Sequence, residues 1–225
     1  MLVSVVIPTL NEEHALPALL DALRRLPGKF EVIVADGGSS DATRAVAGAG
    51  ADVVLDVRGG RARQLDAGAA ASRGDPIVFV HADSRLPPDA YRSLTRACAD
   101  PAIVGGNFAL RFDGDDRFSR VLSAVYGVQR RLGLYYGDSS IWVRRLAFEA
   151  LGGHRELAIM DDYDFARRLQ RLGPTTCLPG PALTSARRWQ QMGVARTLLS
   201  WIVIRWLFVA GVSPQRLARL YRRVR

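Results

Sequence analysis

The stretch VSVVIPTLNEEHALPALLDALRRLPGKFEVIVADGGSSD, residues 3–41, decides the fold. Val3 to Ile7 is a near-continuous β-branched run ended by Pro8, the pattern of a strand buried on both faces. Leu16, Leu19, Leu20 and Leu23 then recur at helical spacing, and Phe30 to Ala35 is a second buried run. This is a βαβ unit.

Outward from it the alternation continues. Helices are expected near residues 41–49 and 61–72, with strands near 52–56 and 77–81, which implies a mostly parallel central sheet covered by helices on both faces. Ligands of such α/β sheets collect at the carboxyl ends of the strands. That rule selects the loops after Ile7, Ala35, Asp56 and Val80. A helix follows near 88–99, and residues 103–112 alternate like an exposed or antiparallel strand. A polar turn at 113–116 precedes a helix toward Arg131. The remaining expectations are a short strand at 140–143, a helix from Arg145, a break at Gly152-Gly153, a helix at 161–172 and a strand around 175–178. Neither an internal repeat nor a low-complexity linker interrupts the chain.

At 225 residues, with 48% hydrophobic and 24% charged residues, the composition suits one globular domain. The net charge of +9 is almost wholly arginine, since Lys29 is the only lysine. Arginine is the better bidentate partner of phosphate, but basic charge alone does not choose among phosphorylated ligands, nucleic acid and anionic lipid. Cys98 and Cys177 lack metal-ligand spacing and read as reduced. No signal-peptide pattern precedes the first strand, so secretion is not expected.

Residues 194–212 are mostly apolar but contain Arg196 and Arg205. A helix of about 19 residues barely reaches the ~30 Å hydrocarbon thickness, and a central arginine costs roughly 2.5–3.5 kcal/mol there. The helix is therefore expected to pack on the domain, dimerise or lie in the membrane interface rather than span it. From Pro214 onward, Leu217, Leu220, Tyr221 and Val224 form an apolar stripe among five arginines, as on basic amphipathic helices; a solvated terminal helix is the plainer alternative.

Three acidic sites carry the chemistry. In Asp36-Gly37-Gly38-Ser39-Ser40-Asp41, an acid at a strand end can accept from a base or ribose while glycines let backbone approach; equally, Asp41 is a plain helix cap. In His81-Ala82-Asp83-Ser84, Asp83 can give an oxygen to Mg²⁺ or Mn²⁺, and His81 points the same way if the chain is extended. In Met160-Asp161-Asp162-Tyr163-Asp164, a general base and a simple helix start are both open readings.

Together with Pro8-Thr9-Leu10-Asn11-Glu12, these motifs resemble family 2 glycosyltransferases over roughly residues 1–190. More narrowly, Arg61-Ala62-Arg63-Gln64-Leu65, His81-Ala82-Asp83-Ser84, Tyr136-Gly137-Asp138 and Gly211-Val212-Ser213-Pro214 are similar to the bacterial radical-SAM/selenodomain-associated transferase 2 group, of the arsenosugar-biosynthesis type.

The resemblance implies a GT-A fold over 1–190, followed by a C-terminal apolar, basic helical appendage at 191–225. It implies an inverting transferase taking a sugar from a nucleoside diphosphate, uridine-linked, to a hydroxyl acceptor. Pro8, Asn11 and Glu12 would border the nucleotide, Asp36 would contact base or ribose, and Arg61 and Gln64 would face the nucleotide or its phosphates. Asp83 matches the second aspartate of the metal-binding Asp-X-Asp motif and His81 stands in the place of the first, with Mn²⁺ or Mg²⁺ the implied ion. Asp162 would be the base and Asp161 its neighbour, an aspartate where glutamate is usual. Asp138 is an acceptor-side candidate, although Ser139 stands where glutamine is common. Arg188 and Trp189 are candidates for phosphate and sugar contacts; the Gln-X-X-Arg-Trp of processive synthases lacks its glutamine here. No nucleic-acid partner follows. The implied location is cytoplasmic, peripheral at the inner face of the membrane, with a homodimer as another use of the last helices. Two rival readings are a catalytically inactive nucleotide-sugar- or membrane-binding protein of the same fold and a sugar-phosphate nucleotidyltransferase. The second requires a glycine-rich first loop and catalytic lysines.

Overall fold

The computed structural model describes residues 1–114, 117–131, 133–185 and 194–221. Strands β1 (Val3–Thr9), β2 (Phe30–Asp36), β3 (Val53–Asp56), β4 (Ile77–Phe79), β5 (Gly105–Phe112), β6 (Trp142–Val143) and β7 (Thr175–Thr184) form one sheet in the order β3-β2-β1-β4-β6-β5-β7. All neighbours run parallel except β6, which is antiparallel to both β4 and β5. Strand order grows from β1 toward β3 on one side and resumes at β4 on the other. The switch point of the sheet therefore lies between β1 and β4, where α/β sheets open a crevice for ligands.

Side chains alternate across each strand, so β1 serves two cores. Val3, Val5 and Ile7 pack with Val32 and Val34 beneath Leu16, Leu19, Leu20 and Leu23 of α1 (Leu16–Arg25) and Leu94 of α4 (Ala90–Cys98). Val6 and Ile33 face the other way, toward Leu65 and Ala69 of α3 (Arg61–Ala71) and Phe165, Ala166 and Leu169 of α7 (Asp161–Leu172). Each fully buried leucine of this kind contributes roughly 1.5–3 kcal/mol. Gly68 brings α3 close to the sheet, because a Cβ there would lie 2.3 Å from Val6 Cγ1. α2 (Thr43–Gly50), α5 (Arg117–Arg131) and α6 (Arg145–Leu151) complete the layers up to β7.

Two strands differ from expectation. β5 is antiparallel to β6, one of the two readings of residues 103–112, but it is interior rather than exposed: it is paired on both edges and buried from Gly105 to Phe108. Its apparent polarity comes from glycines that the packing requires: a Cβ on Gly106 would lie 1.8 Å from Thr176 O. β7 runs on to Thr184, because a register shift between Phe108 and Ala109 loops out Pro179 and Gly180, residues that read locally as a turn.

Cys98 and Cys177 are free thiols, and burial pushes both upward, Cys177 to about 11. At the C-terminus, α8 (Val194–Val209) packs on the domain through Trp201, Ile204 and Phe208. It is followed by α9 (Pro214–Leu220). Among the described residues no helix is long and apolar enough to cross a membrane.

Candidate active site

The loops after β1 and β2 are zipped together. Asn11, at φ 55°, donates its N–H to Ser39 Oγ and accepts the Ser40 N–H on Oδ1. The Glu12 N–H reaches Thr43 Oγ1, the Glu13 N–H reaches Asp41, and Glu13 in turn accepts the Ala42 N–H. Asp41 also accepts the Thr43 N–H at the start of α2, although the N-cap position itself falls on Ala42, one residue later than expected.

Asp36 organises the second loop from inside. It is fully buried, and its carboxylate accepts from Thr9 Oγ1, Ser39 Oγ and the N–H groups of Gly38 and Ser39. Burial raises this carboxyl, but the Ser39 and Gly38 donors outweigh it and hold it below its usual range. Gln64 is likewise turned inward. Its side-chain nitrogen donates to Thr9 O and Ala35 O, both at 2.7 Å, which uses both amide hydrogens. Instead of facing the nucleotide or its phosphates, as the resemblance implied, its amide group ties the ends of β1 and β2 together.

Arg61, one turn earlier on α3, does face the crevice. Nε and Nη2 hold Asp161 in a bidentate fork at 3.0 and 2.7 Å, and Nη2 is 3.5 Å from Asp162 Oδ2. Nη1 lies 3.0 Å from His81 Nε2. A guanidinium only donates, so Nε2 accepts and the ring proton falls on Nδ1, 3.4 Å from Asp138 Oδ1. Arg61, His81, Asp138, Asp161 and Asp162 thus meet beside the switch point, drawn from four distant parts of the chain.

The two acids differ in setting. The Asp161 side chain is 7% exposed and closed by the Arg61 fork, whereas Asp162 is 18% exposed. Asp162 Oδ2 accepts the Gly137 N–H at 2.8 Å, from the short 3₁₀ turn Gly137–Ser139, and Oδ1 accepts the Tyr163 N–H. Burial raises Asp162, but the Arg61 charge and the Gly137 N–H prevail and hold it below the usual carboxylate range. Gly137 is a packing requirement: a Cβ would lie 2.9 Å from Asp162 Oδ2 and 3.0 Å from His81 Nε2.

His81 and Asp83 do not share one side of an extended strand. The chain turns through Ala82 and Asp83, closed by the Ser84 N–H on His81 O. With Nε2 accepting from Arg61 and Nδ1 toward Asp138, His81 has no free nitrogen for a metal in this arrangement. Among the described residues no group of three or more His, Cys, Asp or Glu side chains could hold an ion alone. One carboxylate, Asp83, half-exposed in the turn at the end of β4, still suits a hard cation that takes its other ligands from phosphate and water.

The sequence reading missed an aromatic wall. Tyr136 stacks on Tyr163 at 5.5 Å, Tyr126 meets Tyr136 and Trp201 edge-on, and Phe208 meets Tyr163. Arg205 of α8 hydrogen-bonds the Tyr136 side chain. An arginine interrupting an apolar helix was the available signal. Pro8 lies within β1 opposite Ala35, and Glu12 sits at the rim of the first loop. Arg188 and Trp189 lie outside the described residues.

Residues 4–162 match the family described as Glycosyl transferase family 2, and the chain belongs to that family. The undecaprenyl-phosphate 4-deoxy-4-formamido-L-arabinose transferase of Pseudomonas paraeruginosa is 34% identical over 173 residues, 69% of this chain and 50% of its own length. The chain spans about half the length of such curated relatives. Among solved structures, TarS 1–349 of S. aureus in complex with UDP-GlcNAc aligns with a TM-score of 0.67 at 15% identity, covering 84% of this chain and 59% of that one. Glucosyl-3-phosphoglycerate synthase of Mycobacterium tuberculosis, in complex with Mn²⁺, UDP and glucosyl-3-phosphoglycerate, aligns with a TM-score of 0.57 at 25% identity, covering 90% and 79%. The fold is GT-A.

Proposed function

We propose that this protein is a non-processive, inverting glycosyltransferase that moves a sugar from a nucleoside diphosphate, UDP by preference, to a hydroxyl acceptor. The observation that carries the reading is Asp162: an ionised, partly exposed carboxylate fixed by the Gly137 N–H at the edge of the crevice between β1 and β4. The relatives named above, with UDP, UDP-GlcNAc or Mn²⁺ in their solved complexes, support the substrate class.

In the proposed reaction the acceptor oxygen attacks the anomeric carbon on the face opposite the diphosphate. The new C–O bond forms as the bond to the diphosphate oxygen breaks, the acceptor proton passes to Asp162, and the nucleoside diphosphate leaves. Pro8, Asn11 and Glu12 would border the nucleotide, on a floor that Asp36 and Gln64 hold rigid. Arg61 would meet phosphate at the crevice while fixing Asp161 and Asp162. Asp138 lies on the acceptor side. Asp83 would hold Mn²⁺ or Mg²⁺ together with diphosphate oxygens; bound there, the ion neutralises charge on the leaving group. The glycosyltransferase unit is assigned to 1–190, with 191–225 as an appendage that contacts the inner face of a membrane. The narrower assignment, to the radical-SAM/selenodomain-associated transferases, rests on the Arg61–Leu65, His81–Ser84, Tyr136–Asp138 and Gly211–Pro214 motifs.

The test is release or transfer of sugar from UDP-sugars with Mn²⁺, compared with the same protein carrying Asp162→Asn. Nuclear magnetic resonance of the product reads the anomer, which must be opposite to the donor's. A binding-only protein releases no sugar with either chain. Retention of configuration would overturn the single-displacement step.

A further inference from the structure

The inner face of α8 packs on the domain, but its outer face has no partner among the described residues. Leu199, Ile202, Val203, Trp206 and Val209 are 41–63% exposed and recur at helical spacing along one side. α5 carries a second stripe at four- and three-residue steps, Val121, Val125 and Val128, exposed by 58, 43 and 56%. The two helices touch where Tyr126 meets Trp201. Exposed apolar residues in such number, on neighbouring helices, mark an interaction surface.

The charge carried by α5 and by the chain's C-terminal region selects the occupant. Arg117 and Arg120 of α5 and Arg216 and Arg219 of α9 are exposed. The last acidic residue of the chain is Asp164; the 61 residues after it contain 12 arginines. A second copy would bring arginine against arginine, whereas an anionic surface neutralises them. Trp206, with the Arg205 guanidinium 5.5 Å from its ring, is the aromatic type that settles at headgroup depth.

We propose that α5, α8 and α9 form a docking face for an anionic lipid bilayer, with both apolar stripes inserted to headgroup depth and the arginines on phosphate. This deepens the membrane contact proposed above by adding α5 and naming the lipid class. It does not depend on the catalytic assignment, because binding and sugar transfer are read separately.

Flotation of the full chain with vesicles of phosphatidylcholine, with and without phosphatidylglycerol, tests it. Binding is expected to the mixed vesicles and to weaken with added salt. Val121→Ser/Val125→Ser/Val128→Ser and, separately, Trp206→Ser should each lower the binding constant at least about tenfold, the equivalent of roughly 1.4 kcal/mol. Leu146→Ser, at an exposed site on α6, is the control that should leave binding unchanged. A thermal melt confirms that each variant is folded. The proposal is overturned if mixed vesicles are not bound, if both stripe variants bind as well as the parent, or if the stripes instead hold a dimer that excludes vesicles.

Discussion

Arg61 grips Asp161 through two parallel hydrogen bonds across a sequence separation of 100 residues, at 3.0 and 2.7 Å. This pair joins the start of α3 to the start of α7, and the same guanidinium touches His81. Replacing Arg61 with Ala leaves a buried carboxylate without its partner. The expected loss is roughly 1–3 kcal/mol, below the full cost of breaking a buried pair because the Arg61 side chain is one-third exposed. Urea unfolding measures it; an unchanged midpoint would show that Asp161 finds another partner.

Asp162→Asn keeps the Gly137 N–H acceptor but removes the proposed base. Transfer should fall by about 10²–10⁴ while donor binding, followed by thermal shift, stays within a few-fold. A variant that keeps half the parental rate would exclude Asp162 as the proton acceptor.

Gly137→Ala places a methyl group against Asp162 Oδ2 and His81 Nε2. Both side chains are pinned by other partners, so the methyl must displace the carboxylate. Activity is expected to drop at least about tenfold, with stability changed by no more than about 1 kcal/mol. Equal loss of activity and of fold would point to a structural role alone.

Acid should unfold this protein through its interior carboxylates. For Glu31 and Asp36, burial raises the carboxyl, but hydrogen bonds from Arg73 and Ser4, and from Ser39 and Gly38, hold them below their ordinary values of 4.5 and 3.8. A depressed folded value contributes stability above the ordinary value and loses it as pH falls through the folded one. The urea midpoint is therefore expected to be flat near pH 6 and to decline below about pH 4. Glu31→Gln should make that decline shallower; an identical slope would assign the acid response to other groups.

Gln64→Leu removes the side-chain donor from Thr9 O and from Ala35 O, although the Gly37 N–H stays on Thr9 O. A loss of roughly 1–3 kcal/mol is expected, together with a raised KM for the donor as the two strand ends separate. Intact KM in a destabilised protein would confine Gln64 to folding.

The parallel core was legible because it is written locally: Val3–Ile7 and Phe30–Ala35 are continuous apolar runs, and Leu16 to Leu23 repeat at helical spacing. Helix α7 was expected at residues 161–172 and begins and ends there. β5 misled because Gly105 and Gly106 serve close packing that no local pattern announces. The roles of Gln64 and His81 were hidden for the same reason: their partners lie 20 to 55 residues away, at Thr9, Ala35 and Arg61. Arg205 looked like a membrane cost, whereas its partner Tyr136 belongs to another element.

The cross-stitching of residues 11–13 to 39–43 also bears on how this scaffold can be altered. Asn11, Glu13, Ser39 and Asp41 each hold backbone of the opposite segment, so neither segment has a conformation of its own to carry elsewhere. Chimeras that import one segment from a homologue should misassemble, and those that import the two as a matched set should retain shape. Changes in these two loops are thus inherited in pairs.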